Sequence, residues 1–129
     1  MNNKLLMYYT KDIKKSGQIA DLCKRLQIYT RKLNPSDVNM EMGKLAGIKI
    51  NVGNTEQKKA PENYDMPDVM IFSGISDGVL DEFLDAYRQD KISTTPLKAV
   101  LTPYNISWTL YELITELQRE RMAVMFGKK

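Results

Sequence analysis

The chain has 129 residues, 43% of them apolar and 27% charged. That balance fits one ordinary globular domain and excludes disordered and membrane-spanning compositions. It holds no histidine and one cysteine, Cys23, so the commonest general base, the commonest transition-metal ligand and any intramolecular disulfide are all missing. Net charge is +3, yet residues 1–34 carry eight Lys or Arg against two Asp, and the remainder eleven basic against fourteen acidic residues.

A basic first quarter can be a nucleic-acid footprint. The simpler reading is a solvated helix face, because Lys11, Lys14, Lys15, Lys24 and Arg25 are what an exposed helix displays, and it argues against nucleic acid. The apolar run Leu5–Tyr9 is too short for a signal peptide or a membrane span, so a cytoplasmic protein without membrane association is expected.

Lys4 to Tyr9 is an apolar run without alternation, which predicts a strand buried on both faces, the signature of a parallel sheet. Ile19, Leu22, Cys23 and Leu26 recur at helical spacing and predict an amphipathic helix beginning near Lys14 to Gly17. Ile28 to Leu33 reads as a strand whose adjacent Arg31 and Lys32 place it at a sheet edge. Asn34-Pro35-Ser36-Asp37 is turn chemistry that opens a short helix over Val38 to Ala46, closed by Gly47. Ile48 to Val52 alternates, as a brief extended segment would. Gly53 to Pro67 has no period and predicts a long loop, functional or flexible.

Asp68 to Gly74 is the clearest buried strand. Ser76 or Asp77 caps the next helix, whose stripe is Val79, Leu80, Phe83, Leu84 and Tyr87. Pro96 to Thr102 predicts a fourth strand, with Lys98 marking an edge. Pro103-Tyr104-Asn105 turns the chain into a last helix that buries Leu110, Leu113, Ile114 and Leu117 and extends toward Met125.

The alternation of strands and helices predicts a single α/β domain over residues 1–129: a small four-stranded parallel sheet of order 2-1-3-4 with helices on both faces, a flavodoxin-like half-wound arrangement. The segment Pro96 to Pro103, with Asn105, Ser107-Trp108-Thr109 and Glu112-Leu113, resembles a bacterial family catalogued only as domain of unknown function 3783. The likeness extends back through Ser73-Gly74 and Leu80-Asp81 to Leu84-Asp85, and more weakly to Leu45-Ala46-Gly47 and the first strand. The resemblance implies one compact domain and no particular activity.

In open parallel sheets ligands bind at the carboxyl ends of the strands. Those ends are Tyr9-Thr10-Lys11, Ser73-Gly74 and the turn after Thr102, so Ser73, Gly74, Thr102, Tyr104, Asn105 and Trp108 are the candidate ligand-binding residues. Hydroxyls, an amide, a glycine, a helix N-terminus and aromatic faces would suit a small anionic or aromatic ligand. The plainer alternative is that Asn105 caps the last helix, Thr102-Pro103 shapes the turn and Trp108 plugs the core. No catalytic residue, metal site or cofactor is expected. A receiver-type phosphoacceptor is excluded because Ser73 stands where an aspartate is needed, and Ser73-Gly74-Ile75-Ser76-Asp77-Gly78 lacks dinucleotide-binding spacing. Cys23 lies on an apolar stripe and reads as inert packing. Met122, Met125 and Phe126 prolong the apolar character of the last helix, as a surface for a protein partner or a second copy would. The expectation is a non-catalytic binding or interaction module, the alternative a small-metabolite-binding domain or weak enzyme working at the strand ends.

Overall fold

The computed structural model describes residues 4–48 and 58–126. The extended segment expected at Ile48 to Val52 lies, after Ile48, outside them, as does the start of the Gly53 to Pro67 loop. The chain forms two compact units, one of Met1–Leu33 and Pro67–Val100, the other of Asn34–Met66 and Leu101–Lys129.

The first unit holds a sheet of four strands, β1 (Leu5–Tyr9), β2 (Tyr29–Lys32), β3 (Val69–Ser73) and β4 (Leu97–Val100), with helices α1 (Ile13–Arg25) and α3 (Asp77–Gln89). The strand order is β2-β1-β3-β4, so the strands carrying Arg31, Lys32 and Lys98 are the edges. The sheet is mixed, which corrects the expected all-parallel arrangement: β1–β2 and β3–β4 are parallel, but β1 and β3 are antiparallel. An uninterrupted apolar run reports burial on both faces, not direction. Leu6, Met7 and Tyr8 in β1 and Val69 to Phe72 in β3 are indeed buried along their whole length. Direction follows from the chain between β2 and β3, which leaves and re-enters the sheet at the same end and so makes no crossover.

The two β-α-β halves are built alike. Strand, helix and strand have 5, 13 and 4 residues in each. Each helix has a side-chain cap, Asp12 accepting from Lys15 N and Ser76 from Val79 N. Each ends on a left-handed residue two positions past its last turn, Gln27 (φ 59°) and Lys91 (φ 57°). Met7 and Ile71 occupy equivalent places in the two halves and pair with each other, while Leu6 opposite Phe72 matches Tyr8 opposite Met70. A local pseudo-two-fold therefore passes through the β1–β3 pair. On one face, Leu6, Tyr8, Met70 and Phe72 join Ile19, Leu22, Cys23, Ile28, Phe83, Tyr87 and Ile92 in a single apolar cluster. Within it the Phe72 and Phe83 rings meet edge to face at 5.3 Å.

The second unit contains a 3-10 turn (Pro35–Asp37), the one-turn helix α2 (Met42–Leu45) and the long helix α4 (Leu110–Phe126). The helix expected over Val38 to Ala46 thus contracts to its last turn. Gly47, at φ +75°, closes it as expected, with Ile48 N donating to Gly43 O at 2.8 Å. Residues 38–43 run antiparallel to 106–111, with a bridge between Glu41 and Thr109. Met42 N and Gly43 N donate to Trp108 O and Ile106 O, and Leu110 N and Tyr111 N to Met40 O and Val38 O, all at 2.8–2.9 Å. The first amides of both helices, which lack partners inside their own helix, are thus satisfied by each other's flanking chain. Val38, Met42, Leu45, Met66, Leu110, Leu113 and Ile114 are buried.

Candidate functional site

Because β1 and β3 are antiparallel, the carboxyl end of β1 does not join those of β3 and β4, as the all-parallel arrangement required. Tyr9 pairs with Val69, so the carboxyl end of β1 lies beside the amino end of β3, opposite the end that carries Ser73. The parallel β3–β4 pair, with Phe72 beside Val100, shares one carboxyl end. Ser73 is buried, and Gly74 follows at φ +68°, a left-handed turn that glycine adopts without strain.

Thr102, Tyr104, Asn105 and Trp108 belong to the second unit and come together there. Asn105 Oδ1 accepts from Thr102 N at 2.9 Å, and Thr102 Oγ1 accepts from Tyr104 N at 3.1 Å and Asn105 N at 3.3 Å. These polar atoms fold the turn, as the plainer alternative anticipated for Thr102-Pro103. Asn105 does not cap α4, which begins at Leu110. The cap is Thr109: its Oγ1 accepts from Glu112 N at 3.1 Å while Glu112 Oε1 accepts from Thr109 N at 2.9 Å. This reciprocal capping box is spelled in the sequence as Thr109-x-x-Glu112, and it was the legible signal for the true helix start. With Leu110, Tyr111 and Glu112 amides all bonded, the α4 N-terminus presents none of its first amides to an anion, which corrects that element of the expected site.

What remains for recognition is aromatic. Tyr104 is 81% exposed and its ring stands 5.8 Å from that of Trp108. Trp108, Tyr111 and Thr115 line an open cleft of about 300 Å³ with Lys58, Glu112, Glu116 and Arg119. Lys58 N donates to Glu112 Oε2 at 3.3 Å, and Arg119 Nη1 pairs with Glu116 Oε1 at 3.3 Å. Behind it, Tyr64 meets Tyr111 edge to face at 5.1 Å. Burial, then the neighbouring Tyr111 and Asp65, push the Tyr64 hydroxyl above its usual pKa, and that hydroxyl has no hydrogen-bond partner among the described residues.

Further along α4, Met122, Val124 and Met125 are 58%, 70% and 60% exposed. Met122 and Met125 were expected to be partner-facing; the side chain of Phe126, the third such residue, lies outside the described residues.

One cluster was missed from the sequence. Lys15, expected on a solvated face, is 3% exposed, and its Nζ donates to Asp68 Oδ2 at 2.7 Å and Thr94 O at 3.0 Å. Thr10 Oγ1 also donates to Asp68 Oδ2, at 2.9 Å. These contacts tie α1 and the β1–α1 connector to Asp68, just before the central strand β3, and to the α3–β4 connector, which makes the cluster a strut. Cys23 is fully buried and its thiol is pushed up to about 12, so it offers no thiolate near neutral pH. Among the described residues, no three His, Cys, Asp or Glu side chains cluster to hold a metal, and no helix is long and apolar enough to cross a membrane.

Residues 68–124 match the family model described as Domain of unknown function (DUF3783), which bears out the resemblance from the start of β3 through most of α4. The weaker likeness at Leu45-Ala46-Gly47 and in β1 falls outside the matched stretch. The chain matches no curated protein and no solved structure at a significant level.

Proposed function

We propose that the protein is a non-catalytic protein-interaction module whose docking surface is α4, from the Trp108–Tyr111 cleft to its apolar final turns. The exposed Met122, Val124 and Met125, on a helix whose first turns bury Leu110, Leu113 and Ile114, carry this reading. Exposed methionine-rich surface is adaptable and characteristic of partner sites. The two carboxylates that line the cleft support the same view, since Glu112 accepts a backbone amide at each oxygen and Glu116 pairs with Arg119. A cytoplasmic setting is part of the proposal and rests on the single, buried cysteine.

A photo-crosslinking amino acid at Met122, compared in expressing cells with the same group at exposed Asp81 on α3, tests the surface. Crosslinked product concentrated at position 122 is expected. Equal or absent product at the two positions would overturn the reading.

The cleft itself favours a second reading, a small aromatic-stacking ligand held between Trp108 and Tyr111. Its volume stands at the lower end of ligand pockets. Trp108 is the chain's only tryptophan, so its fluorescence reports on the cleft directly. Saturable quenching by a nucleoside or aromatic amino acid, abolished by Tyr111→Ala, would favour the ligand.

A further inference from the structure

We infer that the partner of the α4 surface is a second copy of this chain, docked helix against helix in antiparallel orientation; this rests on the interaction-module reading above. Tyr111, Thr115, Gln118, Met122 and Met125 follow one another at intervals of four, three, four and three residues. That spacing keeps side chains on one stripe of an α-helix and is the seam spacing of paired helices. The two halves of the stripe differ in kind. Tyr111 and Thr115, with Trp108 just before the helix, line a cleft, whereas Met122 and Met125 project at 58% and 60% exposure. One half is a socket and the other a set of flexible apolar knobs.

A two-fold that reverses the second helix brings the halves together twice. With Thr115 of one copy opposite Gln118 of the other, Met122 falls opposite Tyr111, and Met125 opposite Trp108. Thioethers fill irregular gaps and make favourable contacts with aromatic rings, so the cleft and the knobs complete one another. Such an interface is isologous and closed, with no leftover surface to propagate.

Charge selects the same orientation. Glu112 and Arg119 flank one side of the stripe, a heptad apart. Antiparallel docking sets Arg119 of each copy, which pairs with Glu116 of its own chain, toward Glu112 of the other. A parallel pair would oppose methionines to methionines and cleft to cleft, and would put Arg119 of one copy on the far side of the interface from Glu112 of the other. The contact is confined to about four turns of helix, so a reversible dimer with a dissociation constant on the order of micromolar or weaker is expected.

Sedimentation velocity on the full chain over a concentration series, alongside Met122→Glu with Met125→Glu and Arg119→Glu alone, tests association. The wild type should pass from monomer to dimer, the methionine pair should weaken it by about tenfold or more, and Arg119→Glu should weaken it less. Circular dichroism should show all variants folded, because the replaced side chains are exposed. Orientation is read separately in a Cys23→Ala background. Tyr111→Cys mixed with Met122→Cys should oxidise to a mixed disulfide under copper phenanthroline, and Met122→Cys alone should not. A monomer at every concentration, or dominant 122–122 crosslinking, would overturn the inference. If the purified chain stays monomeric while the Met122 photo-crosslinker captures a protein of another mass, only the second-copy inference fails. Monomer without capture sinks both readings.

Discussion

Lys15 carries its ammonium 2.7 Å from Asp68 Oδ2 at 3% exposure, while Asp68 keeps about a third of its surface in water. Removing Asp68 strands the Lys15 ammonium in a site that cannot solvate it. Asp68→Ala should therefore cost about 2–3 kcal/mol in denaturant unfolding, whereas Arg25→Ala, breaking the exposed ion pair with Asp90, should cost under about 1 kcal/mol. The sequence did hold the clue. Lys15 lies four residues before Ile19, on the same stripe as Leu22 and Cys23, and its counterpart in the second β-α-β half is Val79. Its partners, Asp68 and Thr94, are more than fifty residues away, so nothing local shows that the charge is compensated. Cys23 was legible, because its neighbours on the stripe are apolar. Its thiol ionises near 9.0 when unfolded and near 12 in the fold. Between those values the folded state holds a proton that the unfolded state has released. Stability is therefore intact below about pH 9 and falls as pH rises toward 12, by up to about 1.4 kcal/mol per pH unit. Cys23→Ala should flatten that alkaline decline in thermal melts, and the native wild-type thiol should resist Ellman's reagent at pH 8.

At the scale of elements, caps and glycines decide where helices begin and end. Thr109→Val removes the acceptor for Glu112 N and loosens the capping box, for an expected loss of about 1 kcal/mol. Asn105→Ala, in the turn before it, should leave α4 helicity unchanged, because the helix begins at Leu110 and its cap is Thr109. Glycines divide by backbone angle. A Cβ at Gly47 meets no atom within 4 Å, yet φ +75° makes Gly47→Ala unfavourable by about 1 kcal/mol. A Cβ at Gly17, inside α1, also meets no atom within 4 Å and needs no unusual φ, so Gly17→Ala should stabilise by up to about 1 kcal/mol. Chemical denaturation of the Thr109, Gly47 and Gly17 variants checks the three signs, and circular dichroism of Asn105→Ala checks the fourth expectation. Element type was readable because strand and helix periods are local. The start of α4 was placed too early, at Pro103 to Asn105, because turn residues resemble caps until the reciprocal Thr109–Glu112 bonding is seen.

Across the whole molecule, the two β-α-β halves share their central strands, and β2 and β4 lie outside. Native-state hydrogen exchange should accordingly protect β1 and β3 amides most strongly and β2, exposed along its length, far less; equal protection in β1 and β2 would contradict this arrangement. Strand order followed from the sequence, since edge strands tolerate Arg31, Lys32 and Lys98 while central ones are uniformly apolar. Strand direction did not, because burial on both faces is the same for a strand running either way. That one reversal moved the carboxyl end of β1 away from Ser73 and left β3 and β4 as the pair that shares one. A cleft on the second unit keeps Trp108 from the expected set and adds Tyr111, Thr115 and Arg119. Composition and periodicity by themselves determined the α/β class, the strand order, the inert cysteine and the apolar end of the last helix, because each depends on neighbours within a few residues. Only the tertiary structure decided the direction of β3, the burial of Lys15 and the residues that share the cleft, because each depends on which distant segments the chain brings into contact.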